Sequence, residues 1–300
     1  MKCYLGVDLG GTNIRVGKVS ENGEILQVVT SPSQGDQGPE IVLENLYNLL
    51  EKIDDWKSCL GMGIGVPGPV DTETGTMTIS TNLKGFKGFK LKDVLEEKLK
   101  MPVYLDNDAN VAGLAEAYHG AGFGKKIVYY LTISTGIGGA LIYNGEIISG
   151  RKGFAGEVAN IIVDPSKEDN IFGLNKGAME AESGGRALSI KAQEIFGDEI
   201  KHAGDFFNLV ANKDEKALVL YNNFIESLAT GIANVGHVVD PHVFVIGGGM
   251  LKSKEVWFAD FVKRYNELVH VGMRNVEFKI AVLDEPGLIG AAMLPVSKGE

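Results

Sequence analysis

The chain has 300 residues, 44% hydrophobic and 23% charged, and a formal net charge of -10 at pH 7, a balance that builds one large or two medium folded domains and excludes a disordered chain. The acidic excess, without any Lys/Arg cluster, excludes a nucleic-acid-binding surface, so a phosphate ligand has to be met locally by backbone donors and metal. No apolar run nears the ~20 residues of a membrane span, and Asp8 interrupts the hydrophobic stretch at the start, so neither a signal peptide nor a membrane partner is expected and the chain reads as cytoplasmic.

From Tyr4 to Val16 the sequence reads strand, glycine turn, strand. Asn22-Gly23-Glu24-Ile25 then adds a hairpin, Asn-Gly between apolar runs being the strongest short-range signal for one. Residues 3–30 are thus expected to form a three-stranded antiparallel meander. Apolar residues at helical spacing predict a helix over 40–57, followed by a strand over 62–66 that Pro67-Gly68-Pro69 must end. A charged helix over 91–99, a short strand over 103–105 and a helix over 110–118 come next. The glycine-rich stretch 120–124 is the expected domain boundary.

Residues 127–149 repeat the opening module: Leu131 to Ile142 again reads strand, glycine turn, strand, and Asn144-Gly145-Glu146-Ile147 repeats the hairpin. An irregular, polar segment covers 151–180, and helices are predicted near 179–195, 215–239 and 254–269. The last carries Trp257 and Phe258, suited to core or interface. Strands over 243–246 and 278–283 and a final helix from 288 complete the order. A duplicated α/β architecture follows, because each meander has to bury one face against its own helices. A single dinucleotide-binding sheet fits poorly, since its glycine turn must open a helix and both turns here open strands. Cys3 and Cys59, in or beside apolar runs, read as two buried hydrophobes rather than a disulfide.

The glycine turns carry the chemistry. Asp8, ahead of Gly10, Gly11, Thr12 and Asn13, stands at a strand's end where its carboxylate can hold the hydration shell of Mg²⁺ while Thr12 and the turn amides contact phosphate. The bland alternative is a hairpin that Asp8 caps. Thr135, Gly136 and Gly138 repeat the logic, and Gly247, Gly248 and Gly249 after a strand form a third turn, suited to the adenosine end of a nucleotide. Asp106-Asn107-Asp108-Ala109-Asn110 opens a helix. N-capping would use one of its side chains, and a second carboxylate at that corner can take a proton from a hydroxyl. Glu157, Asn160 and Glu180 lie in the irregular segment, where acidic residues are usually only solvated. The five histidines are scattered without ligand spacing and read as ordinary surface or core residues.

Assembled, these motifs resemble the ROK family of sugar kinases and sugar-responsive repressors, from residue 5 to about 292. Asp8 to Thr12 is similar to that family's first phosphate loop, Gly65-Val66-Pro67-Gly68-Pro69-Val70-Asp71 to its sugar-side loop, Asn107 to Asn110 to its catalytic corner and Ser134 to Gly139 to its second phosphate loop. Gly156-Glu157-Val158 resembles the start of its sugar-binding motif, and Asp240-Pro241 with Val245 to Gly248 its nucleotide-side strand. The resemblance implies a duplicated actin-like ATPase (ribonuclease H-like) α/β fold of two domains, 1–118 joined by helix 287–300, and 119–286, with sugar and ATP meeting in an interdomain cleft. One departure is large. Asn160 stands where zinc-binding members carry His, and residues 170–180 replace their cysteine run, so every zinc ligand is lost together and no structural zinc is expected. Ile171, Phe172, Leu174 and Met179 are expected to form a small core instead.

The resemblance implies an ATP-dependent hexose kinase acting on the 6-hydroxyl of glucose, with N-acetylmannosamine, N-acetylglucosamine, allose and fructose as alternative acceptors because Asn160 departs from the pattern. Asp108 would take the hydroxyl proton, Asn82, Asn107, Glu157, Asn160 and Glu180 would hold the other hydroxyls, and the two phosphate loops would cradle ATP with Mg²⁺ near Asp8. A homodimer is expected by the same resemblance. A repressor is disfavoured, since the first loop begins within ten residues of Met1; a scaffold ATPase of the wider actin-like class would lack the sugar pocket.

Overall fold

The computed structural model describes every residue except Thr81, Asp169 and Asn170. The strands β1 (Cys3–Leu9), β2 (Asn13–Ser20) and β3 (Ile25–Pro32) form the expected antiparallel meander. Helix α1 (Pro39–Leu50) stops seven residues before the expected 57. Side chains of the meander hold the chain in a turn there: Gln27 accepts from the Asp54 amide and donates to the Lys52 carbonyl, and Lys18 donates to the carbonyls of Asp54 and Asp55. Ile53 and Trp56 stay buried even so.

Strand β4 (Met62–Val66) runs parallel to β1 and to β7 (Val103–Asn107), so the first sheet has the order β3-β2-β1-β4-β7 once the small hairpin β5 (Val70–Asp71) and β6 (Thr76–Met77) and the helix α2 (Leu91–Leu99) have intervened. The hairpin was not foreseen, its two-residue strands being too short to show alternation. β7 runs through Asp106 and Asn107, beyond the expected 105, and α3 (Asp108–His119) starts two residues early.

The second sheet, order β10-β9-β8-β11-β12, repeats the first strand for strand. It comprises β8 (Ile127–Ile133), β9 (Ile137–Tyr143), β10 (Glu146–Ile147), β11 (Val243–Gly247) and β12 (Glu277–Ile280). β10 ends two residues before the expected 149, where the Ser149 hydroxyl turns to donate to Asp106. β12 stops at Ile280, short of the expected 283, because the Val282 and Leu283 amides donate to the Glu116 carboxylate instead of a strand.

The helix expected over 179–195 is two, α4 (Met179–Ser183) and α5 (Gly185–Phe196). Gly184 is extended between them, and the first amides of α5, Gly185 and Arg186, donate to the carbonyls of Ser134 and Thr135. Helix α6 (Ala203–Ala211) was unforeseen; a reciprocal cap between His202 and Asp205 starts it. Helices α7 (Glu215–Val239), α8 (Lys254–Leu268) and α9 (Pro286–Ser297) match expectation closely. No helix among the described residues is long and apolar enough to cross a membrane.

The chain divides into two compact units, Met1–Tyr130 with Ala140–Gly156 and Ala281–Glu300, and Leu131–Gly139 with Glu157–Ile280. In the first, one apolar core joins β1, β4 and β7 to α1 and α2, and includes the free thiols Cys3 and Cys59, whose sulfurs lie 3.2 Å apart. Helix α9 covers the same sheet. It approaches so closely that a Cβ on Gly63 would lie 1.8 Å from the Ala291 carbonyl oxygen, and one on Gly290 1.7 Å from that of Val111 in α3. In the second unit, Phe207, Phe224, Trp257, Phe261 and Phe278 form a chain of near edge-on rings through α6, α7, α8 and β12. Trp257, fully buried, is therefore core, and Phe258 is half-buried.

Candidate active site

In the first unit the turn after β1 is closed by one bond, the Gly10 amide donating to the Asn13 carbonyl at 2.9 Å. Gly11 has no room for a side chain, since a Cβ would meet the Asn82 carbonyl oxygen at 2.6 Å; Asn82, an expected sugar ligand, is thereby held against the first loop. Among the described residues the amides of Gly11 and Thr12 donate to no acceptor, which leaves two adjacent donors in the form an anion takes up. Asp8, at the strand's end, lies against Gly287 in the first turn of α9. Its Oδ2 accepts from Arg15 at 2.8 Å, and the same guanidinium lies 2.5 Å from Glu285 Oε2. Sequence reading missed this bridge, although the register Asp8 opposite Arg15 follows from the tight turn.

The corner between β7 and α3 sorts its polar residues into separate tasks. Asn107 is the N-cap, its Oδ1 accepting from the Ala109 amide at 2.8 Å, and its Nδ2 donates to the Gly68 carbonyl of the loop after β4. Asp106 is buried and accepts from the Asn107 amide, Asn110 Nδ2 and Ser149 Oγ; burial pushes its carboxyl up, and these bonds offset part of the rise. Asp108 opens the helix with its side chain reaching solvent while protein closes round its base. That surrounding protein raises its pKa, the Ala109 amide pulls it down, and the negative charge of Asp8 raises it again. A solvent-reaching carboxylate with a raised pKa is suited to taking up a proton.

In the second unit the turn after β8 repeats the first. The Ser134 amide donates to the Gly136 carbonyl, and the amides of Thr135 and Gly136 donate to no acceptor among the described residues. Glu180 Oε2 accepts from the Ile137 amide at 2.6 Å, an approach possible because Gly136 has no side chain in its path. Glu180 therefore fastens the second loop, beyond the sugar contact expected of it. Gly138 lies within β9. Gly247 ends β11, and Gly248, at φ 95°, lies so close to β8 that a Cβ would be 2.3 Å from the Ile133 carbonyl oxygen. Gly249 and Thr135 line a cavity of about 620 Å³ within this unit. The cavity is walled by Arg186, Ser189, Ile190 and Gln193 of α5 and by His202 at the cap of α6. Sequence reading missed all five as cavity residues, and His202, an exposed histidine as expected, also caps α6; the spacing of the first four along one helix face was the available signal.

Asn160 does not stand free. Its Oδ1 accepts from the Asn175 amide at 2.8 Å, tying down the stretch that replaces the cysteine run. Asn170, which opens that stretch, lies outside the described residues. The small core expected there is real but differently composed: Leu174, Ala178 and Ala181 with Ile171 and Ala159. Phe172 is 39% exposed and lies outside it, and Met179 is fully buried against Gly231 of α7. Among the described residues no group of His, Cys, Asp and Glu has the arrangement of a metal site. Because Asn160 and residues 170–180 carry none of the family's zinc ligands, dialysis against a strong chelator is expected to leave the melting temperature unchanged, whereas Asn160→Ala, which orphans the Asn175 amide, costs about 1 kcal/mol by denaturant titration.

The family model that describes the ROK family matches residues 4–298. An N-acetyl-D-glucosamine kinase of Vibrio vulnificus strain YJ016 is 33% identical over 98% of this chain and 99% of its own length. Among solved structures, the ROK hexokinase from Thermus thermophilus superimposes with a TM-score of 0.88 at 33% identity, covering 99% of this chain and 100% of its own. A ROK family glucokinase from Streptomyces griseus, solved in complex with glucose and AMPPNP, superimposes with a TM-score of 0.76 at 26% identity, covering 97% and 98%. The repeated sheet order is accordingly that of the two-domain actin-like ATPase fold. With the family model matching it over nearly its whole length, the chain belongs to the ROK family and is one of its sugar kinases.

Proposed function

We propose that the protein transfers the terminal phosphoryl group of ATP to the 6-hydroxyl of glucose in the cytoplasm. The carrying observation is the pair of turns whose amides find no acceptor among the described residues, Gly11 and Thr12 in one unit and Thr135 and Gly136 in the other. Phosphoryl transfer asks for alignment and charge neutralisation rather than covalent help, and such turns supply fixed donors at no reorganisation cost. In this reading Asp108 orients the hydroxyl and takes its proton. Asn82, Asn107, Glu157, Asn160 and Glu180 hold the other hydroxyls. Asp8, Gly10 and Asn13 shape the first loop, Gly138 and Gly247 to Gly249 the nucleotide side of the second unit.

The donor set fits Mg²⁺ held largely by water: among the described residues Asp8 keeps Oδ1 without a partner, and no group of His, Cys, Asp and Glu there has the arrangement of a metal site. Bound there, the ion would neutralise charge on the transferring phosphoryl group. A coupled ADP-release assay over glucose, N-acetylglucosamine, N-acetylmannosamine, allose and fructose, with and without Mg²⁺, tests the reading. Glucose is expected to give the highest kcat/KM, and Mg²⁺ to be required. A preference for an N-acetylated sugar would move the acceptor assignment, and no ADP from any hexose would end the kinase reading. The homodimer expected from the family resemblance is checked by sedimentation of the same preparation.

A further inference from the structure

We propose that Arg186, braced by the ring of Phe172, is the cation that meets the nucleotide's phosphate groups in the second unit. The inference rests on the kinase reading above and adds a residue to it. Arg186 is fixed beside the second phosphate loop, its amide donating to the Thr135 carbonyl at 2.9 Å. Its side chain lines the 620 Å³ cavity together with Ser189, Ile190 and Gln193, the residues three, four and seven positions on, so the helix presents one continuous face to a bound molecule. The guanidinium lies 4.2 Å from the centroid of the Phe172 ring, and among the described residues it makes no ion pair.

Packing does not account for Phe172. Its backbone is left-handed at φ 57°, a conformation that bulky side chains adopt only at a cost, and its ring lies outside the apolar cluster of its own segment. What the ring does is hold Arg186. A contact over the ring is made by the guanidinium carbon and, among the described residues, leaves the N–H donors without an ion-pair partner, so they can pair with phosphate oxygens. It also removes rotamer freedom that a loose arginine would lose on binding. The segment that stands in place of the cysteine run thereby reaches the nucleotide cavity through one aromatic contact.

Titration calorimetry of the whole chain with ATP and, separately, adenosine tests this on the wild type, Arg186→Ala and Phe172→Gly. Arg186→Ala is expected to weaken ATP about tenfold or more and adenosine less than about twofold, because only the phosphates are addressed. Phe172→Gly is expected to weaken ATP about threefold to tenfold while the melting temperature holds or rises, since glycine accepts the left-handed backbone. A merely structural role for Phe172 predicts a lower melting temperature instead. Equal ATP affinity in Arg186→Ala and wild type, or a parallel loss of adenosine, overturns the phosphate contact. A loss in Arg186→Ala with none in Phe172→Gly overturns the bracing. Absence of ATP binding by the wild type overturns the kinase reading, and this inference with it.

Discussion

Asp108→Asn is expected to lower kcat by roughly 10³-fold while leaving the dissociation constant for the hexose within about threefold. Asparagine has the same shape, and its Oδ1 can still accept from the Ala109 amide at the head of α3. What it cannot do is accept a proton. Steady-state rates and sugar titration on the same preparation separate the two effects, and a variant with near wild-type kcat would remove Asp108 as the base. The pH profile gives an independent check. Only the ionised carboxylate accepts a proton, so the rate falls as pH drops through the Asp108 pKa. Burial and the charge of Asp8 raise that value, so the acid limb of kcat is expected above the ordinary aspartate range near about 4 and is absent from the residual rate of Asp108→Asn.

Gly290→Ala is expected to destabilise the first unit by about 3 kcal/mol or more, read from denaturant unfolding. Helix propensity alone predicts the opposite sign, since alanine in a helix interior is favoured over glycine by about 1 kcal/mol. Sterics win here because the added Cβ would lie 1.7 Å from the Val111 carbonyl oxygen and 2.5 Å from its carbon, backbone atoms that α3 cannot move singly. Gly272→Ala is the control: its Cβ would find only the His270 ring, at 3.4 Å, and a change within about 0.5 kcal/mol is expected. A neutral Gly290→Ala would mean that α3 and α9 can separate freely.

The duplicated meander was legible because each copy announces its corners with glycine and its hairpin with Asn-Gly, signals that are local and chemical. Helices α7 and α8 were legible for a similar reason, their apolar periodicity being long. Failures came where distant residues decide. The end of α1 is set by Gln27 and Lys18, the end of β12 by Glu116, and the break before α5 by carbonyls of the second phosphate loop. Helix α6 is short, and its capping histidine is an unusual cap to read from sequence. The turns at the candidate site were readable, whereas the cavity wall on α5 was not, since nothing in Arg186, Ser189 and Gln193 alone says which molecule their helix face meets.

Helix α9 also bears on how the chain is made. The sheet of order β3-β2-β1-β4-β7 takes its strands from the beginning of the chain and its covering helix from Ala281–Glu300. A ribosome makes those residues only after the whole second unit, so the sheet that carries Asp8, and that leads into α3 at Asp108, waits through the synthesis of that unit with one apolar face uncovered. The second unit, apart from Leu131–Gly139, is contiguous in sequence. It can consolidate first, and the first unit completes itself after it.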